Sequence, residues 1–234
     1  MICFDKKKFV TLYFIFAAIT FSVSQVSYNT GAWVIATSQI RFHNKFSLHA
    51  EAQFRDHGIF NETEQILLRV GLNFHNSPQS MITVGYGRIT NYPADHEFLE
   101  TPSVTEDRVW EQYLMRNSVG RVIFEHRYRL EQRWIRINNS SRYLDRVRYC
   151  LRFTIPLNKK TLEKNTLFLS FYDELFINLT NIPFDRNRAY GVVGFQLTAL
   201  ANVQLGYMAQ TIGTKTKSFL QAGLFYNIDL RKKE

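Results

Sequence analysis

Arginine is the residue whose placement in this chain most clearly suggests chemistry. Arg127, Arg129 and Arg133 alternate with apolar positions beside Glu125 and Glu131, and Arg146, Arg148 and Arg152 do the same further along. A spacing of two puts side chains on one face of an extended strand. Planar guanidinium groups on such a face pair bidentately with carboxylates and stay charged when partly desolvated. The same alternation adds Glu51, Arg55, Arg69, Glu174 and Arg188 to this polar set. An enclosed face of this composition has two uses. It forms a salt-bridge network that holds a shape, or it lines a narrow positive passage or pocket that favours anions. Neither use needs a cofactor, and none is expected.

Histidine offers a second chemistry. His96 lies with Asp95, Glu97 and Ser103 in the segment 93–106, and His126 falls among apolar positions. A histidine near a serine or aspartate at a barrel rim is the arrangement of a lipid hydrolase or acyltransferase. No nucleophile motif frames these residues, so a solvated loop histidine is the expectation and a lipid-modifying enzyme the alternative. Asp95, His96, Glu97, Glu100, Glu106 and Asp107 carry ligand chemistry for a cation, but their spacing fits no calcium loop. Cys3 and Cys150 exclude a disulfide framework and a cysteine zinc site, and no metal site is expected.

The elements that must position these groups are strands. Phe46, Leu48, Ala50, Ala52 and Phe54 alternate with Ser47, His49, Glu51, Gln53 and Arg55. The same period recurs at Ile66–Phe74, Val122–Trp134, Val147–Ile155 and Leu220–Leu230, with weaker segments near 31–42, 80–92, 107–117, 166–178, 187–199 and 202–212. Aromatics at 15% against only five prolines suit strands. The chain is therefore expected to be all-β. A soluble lipocalin-like barrel and a membrane barrel share this period and differ in which face looks outward. Three features favour the membrane barrel. The runs are longer than the ~5–6 residues of soluble strands. Lysines 45, 159, 160, 164, 215, 217, 232 and 233 sit in turns, loops or the tail, whereas arginines hold strand interiors. Short connections (43–45, 76–80, 117–120, 199–202) alternate with longer ones (56–63, 93–106, 137–142, 179–187), the long 156–165 connection being the exception. Eleven candidate strands can be counted, but single-chain bacterial barrels have even numbers, so ten to twelve antiparallel strands are expected: either the segment near Trp33 is split or only partly spans, or one weak segment is not a strand.

Lys6, Lys7 and Lys8 precede the apolar run Phe9–Val23, which closes on Ser22 and Ser24. This layout is that of a secretory signal peptide over residues 1–24, leaving a barrel over 25–234. The formal charge of +9 is not gathered into runs, which argues against a nucleic-acid partner. Trp33, Trp110 and Trp134 suit either interfacial girdles or ordinary strand packing. Asn61, Asn139 and Asn178 open chance matches to the glycosylation pattern.

A resemblance covers nearly the whole mature chain. It is carried by Gly31-Ala32-Trp33, Gly85-Tyr86-Gly87-Arg88, Asp107-Arg108-Val109-Trp110-Glu111-Gln112 and His126-Arg127-Tyr128-Arg129-Leu130-Glu131-Gln132-Arg133. It continues through Arg148-Tyr149-Cys150-Leu151-Arg152, Tyr172-Asp173-Glu174-Leu175-Phe176 and Phe184-Asp185-Arg186-Asn187-Arg188. In these the chain resembles an uncharacterised family of bacterial outer-membrane β-barrel proteins, a domain of unknown function. The resemblance implies the fold and a location in the Gram-negative outer membrane, with its lipid and barrel assembly machinery as partners; the family has no established activity, so the resemblance carries no catalytic role with it. The terminal Leu230-Arg231-Lys232-Lys233-Glu234 departs from the aromatic ending common in such barrels, leaving Phe225 or Tyr226 for that part. The expected role is structural, or a narrow pore for small anionic solutes.

Overall fold

A computed structural model of the protein describes residues 26–59, 62–93, 104–138, 140–180 and 182–231. The segment 1–24, His96 with Asp95, Glu97, Glu100 and Ser103, and Lys232-Lys233 lie outside the described residues, as do Asn61 and Asn139. Every regular element among the described residues is a strand, in the order β1 (Val26–Arg41), β2 (Phe46–Asp56), β3 (Thr63–Ser77), β4 (Ser80–Asn91), β5 (Val104–Val119), β6 (Val122–Ile137), β7 (Ser140–Pro156), β8 (Thr166–Asn178), β9 (Phe184–Gln196), β10 (Ala201–Ile212) and β11 (Lys215–Asp229).

Each strand pairs antiparallel with its sequence neighbour, and β1 closes the cylinder against β11. That closing pair is parallel, running from Gly31↔Phe219 to Arg41↔Asp229. The count is eleven, inside the expected range. Every hairpin reverses the chain, so the first and last of an odd number of strands point the same way. The all-antiparallel expectation is thus corrected at one seam. The segment around Trp33 is also a full strand of 16 residues rather than a split or partial one. Closure leaves no unpaired strand edge.

Alternation decides the two faces. Leu48, Leu68, Val70, Leu72, Val84, Tyr128, Leu130, Val147, Leu205, Leu220 and Leu224 point outward and stay exposed, Val70 at 58% and Leu205 at 66%. Arg69, Arg129, Glu131, Arg146 and Arg148, their immediate neighbours along the strands, point inward and are buried, as is Glu174 on β8. The apolar rows are therefore the outer surface and the guanidinium groups are enclosed. This is the reverse of a lipocalin-like barrel, whose apolar face looks inward.

The connections 42–45, 78–79, 120–121, 157–165 and 197–200 form one rim, here the lower. The upper rim carries 57–62, 92–103, 138–139, 179–183 and 213–214. Two upper connections are tighter than alternating loop lengths predict. Ile137 already pairs with Ser140, Asn138 between them taking φ 52°, and 213–214 is built on Gly213 at φ 58°. Left-handed φ at the turn lets two strands reverse without splaying. The long lower connection 157–165 is held by Arg121, whose guanidinium donates to the carbonyls of Pro156 (3.1 Å), Leu157 (3.0 Å) and Lys159 (2.5 Å). Lys215 and Lys217 belong to the start of β11 rather than to a loop, and Lys217 reaches Glu64 at 2.5 Å.

Candidate functional site

The lumen has two unlike walls. Along β5–β8 the inward positions of adjacent strands are occupied by arginines and carboxylates, and the antiparallel register sets them in rows. Glu131 stands opposite Arg146, Glu125 opposite Arg152, and Arg129 opposite Arg148. Glu131 is completely buried and gathers its neighbours. Its Oε2 accepts from Arg146 Nε at 3.0 Å and Nη2 at 2.6 Å, while its Oε1 accepts from Arg148 Nη1 at 2.6 Å and Arg108 Nη1 at 3.1 Å. Arg148 also donates to Glu174 Oε1, from Nε at 3.0 Å and Nη2 at 2.6 Å, and Arg127 reaches the same oxygen at 2.9 Å. Higher on this wall, Arg133 holds Glu106 in a fork of 2.8 and 2.9 Å, and Arg108 bonds the same carboxylate at 2.6 Å. Arg146 extends the lattice to Asp185 on β9 at 2.7 Å.

Such a lattice answers a physical necessity. Taking one ion out of water costs several kcal/mol after relaxation, so buried charges persist only where good geometry satisfies their hydrogen-bonding groups. Guanidinium is suited to this because it presents several donors in one plane and can serve two carboxylates at once.

Arginines nonetheless outnumber carboxylates along the lumen, and several lean on aromatic rings. The Arg55 guanidinium carbon lies 3.5 Å from the Trp33 ring centroid, and that of Arg188 lies 5.0 Å from the same ring. Trp110 carries Arg129 at 4.6 Å and Arg69 at 5.6 Å. Phe176 carries Arg148 at 4.2 Å and Arg188 at 4.7 Å, and Tyr172 carries Arg152 at 5.2 Å. Ring faces attract cations but accept no conventional hydrogen bonds. The Nε atoms of Arg55, Arg69 and Arg152 and Nη1 of Arg129 are accordingly buried with no hydrogen-bond acceptor, as is Nε of Arg127, which rests on no ring among the described residues. Trp110 fits flat against the wall because Gly71 and Gly85 stand beneath it. A Cβ on Gly85 would come within 2.6 Å of Trp110 Cε2.

The opposite wall, β9–β11 with β1, sets an apolar cluster among uncharged polar side chains such as Gln210 and Gln221, with Arg186 and Arg188 near its upper end. Trp33, Tyr190, Val192, Met208 and Phe219 form a buried cluster against which Ile35 and Tyr172 pack. Trp33 meets Phe219 edge-on at 5.9 Å between centroids. Between the walls runs a cavity of about 730 Å³, lined by Arg55, Arg129, Arg152 and Arg188 among others, with Leu162 of the lower 157–165 connection at its edge.

The structure places Glu51, Arg55, Arg69, Glu125, Arg127, Arg129, Glu131, Arg133, Arg146, Arg148, Arg152, Glu174 and Arg188 on the cavity lining or its charged wall, as alternation predicts. Their partners differ in detail. Glu125 bonds Arg116 at 2.7 Å rather than the facing Arg152, and Glu51 pairs with Arg69 at 3.3 Å and His49 at 3.2 Å. Sequence reasoning missed Arg108, Arg116, Asp185 and Arg186, and it set Glu106 and Asp107 in an acidic group suited to a cation. Those two carboxylates point to opposite sides of the wall. Glu106 is claimed by Arg108 and Arg133 inside, and Asp107 by Arg88 at 2.7 Å and by Arg136 and Tyr86 outside. Among the described residues no group of acids, histidines or cysteines is arranged to hold a metal ion.

The tryptophans also divide. Trp33 and Trp110 are lumen residues, at 3% and 1% exposure, and only Trp134 lies outside, beside Tyr143. His126 is on the outer face, its Nδ1 2.9 Å from Tyr149 Oη. Cys150 is a buried free thiol on the inner face.

Comparison with known proteins adds one match. A family model described as a protein of unknown function, DUF2490, matches residues 30–221. No curated protein and no solved structure matches.

Proposed function

The chain belongs to this DUF2490 family of unknown function, and since membership brings no activity with it, we propose a role from the geometry: an outer-membrane barrel whose narrow, positively lined lumen favours small anions. One observation carries the reading: inward guanidinium groups exceed the carboxylates available to them, within a cylinder whose outer surface is apolar. Burying one leucine or valine side chain is worth roughly 1.5–3 kcal/mol. Rows of such side chains exposed around the cylinder, Leu68, Val70, Leu72, Leu205, Leu220 and Leu224 among them, therefore suit contact with acyl chains. Exposed patches larger than a few hundred Å² mark membrane or partner contacts in general. Strands of 11 to 17 residues meet or exceed the ~9–11 that a bilayer requires. The basic and apolar leader 1–24 supports export to the envelope.

Within this reading the two arginine populations divide the work. Those bonded to Glu131, Glu174 and Glu106 brace the β5–β8 wall. Arg55, Arg129, Arg152 and Arg188, resting on rings, present positive charge to the cavity, and a ring of such groups attracts anions and repels cations.

Two measurements test the proposal. Cell fractionation with a heat-modifiability gel is expected to recover the folded chain in the outer membrane; recovery in the soluble periplasm would end the membrane reading. Reversal potentials across planar bilayers holding the purified protein are expected to favour chloride over potassium. Cation preference, or no channel events, would end the anion passage.

A further inference from the structure

Arg55 is a buried inward arginine with no ion-pair partner among the described residues. It is 5% exposed, no carboxylate oxygen among the described residues lies within ion-pair distance, and its one side-chain hydrogen bond to protein runs from Nη2 to Gln53 Oε1 at 3.2 Å. Its Nε is buried without an acceptor. Arg188, 7% exposed, is nearly as free: Nε donates to Gln210 Oε1 at 2.8 Å, and the nearest carboxylate, Glu174, stands at the limit of 4.0 Å. Both guanidinium carbons lie within 5.0 Å of the Trp33 centroid, so the two like charges are held together by one indole. Arg186 adds a third charge across Phe176 at 5.8 Å, and its partner Asp185 at 2.9 Å is shared with Arg146.

Like charges do not gather in a low-dielectric interior without compensation, and beyond the rings Arg55 and Arg188 have only one glutamine each, with Glu174 at 4.0 Å from Arg188. All three side chains line the cavity. We propose that Arg55 and Arg188, set around Trp33 in the upper half of the lumen, form an oxyanion site whose ligand is a phosphate group, free or carried by a small solute. The proposal rests on the anion reading of the lumen and names the class of anion. A guanidinium edge offers two parallel N–H groups, which match the spacing of two oxygens and are wasted on a spherical halide. Phosphate also matches the charge. Arg55 and Arg188 bring about two positive charges, and a phosphate group carries about −1.5 to −2 at neutral pH.

The test is calorimetric titration of the full, detergent-folded protein with sodium phosphate, glycerol phosphate or sodium chloride at equal ionic strength. Saturable phosphate binding is expected, with chloride giving none. Arg55→Gln and Arg188→Gln are each expected to weaken it at least tenfold. Arg88→Gln, on the outer face, leaves it unchanged and serves as control. Binding of glycerol phosphate as tightly as free phosphate would assign the site to phosphorylated solutes, and binding of inorganic phosphate alone to the free ion. If Arg55→Gln fails the heat-modifiability test for folding, Arg55→Lys, which keeps the charge and loses the fork, is expected to weaken phosphate at least threefold. No saturable phosphate heat in the wild-type protein, or equal affinity in the folded variants, overturns the site. The outcome is separable from the passage reading. Anion-selective current without phosphate binding sinks this inference alone, whereas phosphate binding without current keeps the site and removes the passage.

Discussion

Glu131 and Met208 occupy the same kind of position on opposite walls of one cylinder. Both point inward, and both are completely shielded from solvent. Glu131 makes directional bonds with Arg108, Arg146 and Arg148, whereas Met208 packs among Trp33, Tyr190, Val192 and Phe219. The β5–β8 wall is held by interactions with fixed partners and fixed angles, so its geometry fails if one partner is lost. The wall of β9–β11 and β1 is held by contact area, which tolerates a change of shape if volume is kept. A small barrel has to fill its interior, and here two different solutions meet across one cavity.

Isosteric changes probe this contrast most directly. Glu131→Gln keeps the shape and removes the charge, leaving three buried guanidinium groups short of an anion. Breaking a buried ion pair from one side costs about 3–5 kcal/mol, and a loss of this size is expected in denaturant unfolding of the detergent-folded barrel. A loss below 1 kcal/mol would mean that the lattice is replaceable. Gly85→Ala tests the seat of Trp110. The added methyl meets the indole and the Val70 carbonyl, and overpacking of this kind costs about 1–3 kcal/mol. The same unfolding assay, with quenching of tryptophan fluorescence, would register a displaced ring.

Met208→Leu is the counterpart of the first variant on the other wall. A volume-conserving apolar swap costs less than about 1.5 kcal/mol, and equal losses for Met208→Leu and Glu131→Gln would erase the distinction between the walls. The smallest effect is expected from Arg88→Gln. Arg88 pairs with Asp107 on the outer surface, where its side chain is 42% exposed, and such pairs contribute about 0–1 kcal/mol. A larger loss would show that the outward Arg88–Asp107–Arg136 group is structural after all.

Much of the candidate site was readable from alternation because β6 and β7 are regular: every second residue from Glu125 to Arg133 is charged, as is every second residue from Arg146 to Arg152 except Cys150. β5 defeated the same reading. Its inner face carries Glu106, Arg108 and Gln112 together with Trp110, and its outer face carries Asp107 and Glu111 among apolar residues. With both faces mixed, period two gives no contrast, and Arg108 could not be told from a surface arginine. Asp185 and Arg186 were missed for a related reason: they stand at the start of β9, where the upper rim, and not the pattern, decides which way a side chain turns. The tryptophans were ambiguous because an aromatic ring serves equally well against lipid or beneath a guanidinium group. The glycines that seat Trp110 are distant from it in sequence.

The sequence by itself determined that the chain is built of strands, that one face of most strands is apolar and the other rich in arginine, and which arginines share a face. These are local properties, set by the two-residue period of an extended backbone. Tertiary closure decided the rest. Only the closed cylinder makes an inside, turns an odd strand number into a parallel seam between β1 and β11, and brings Arg188 of β9 to the ring of Trp33 on β1. Those partners lie far apart along the chain, and no local period encodes their distance. Which guanidinium groups find a carboxylate and which are left to a ring follows from the register between strands, and register is a property of the assembled sheet.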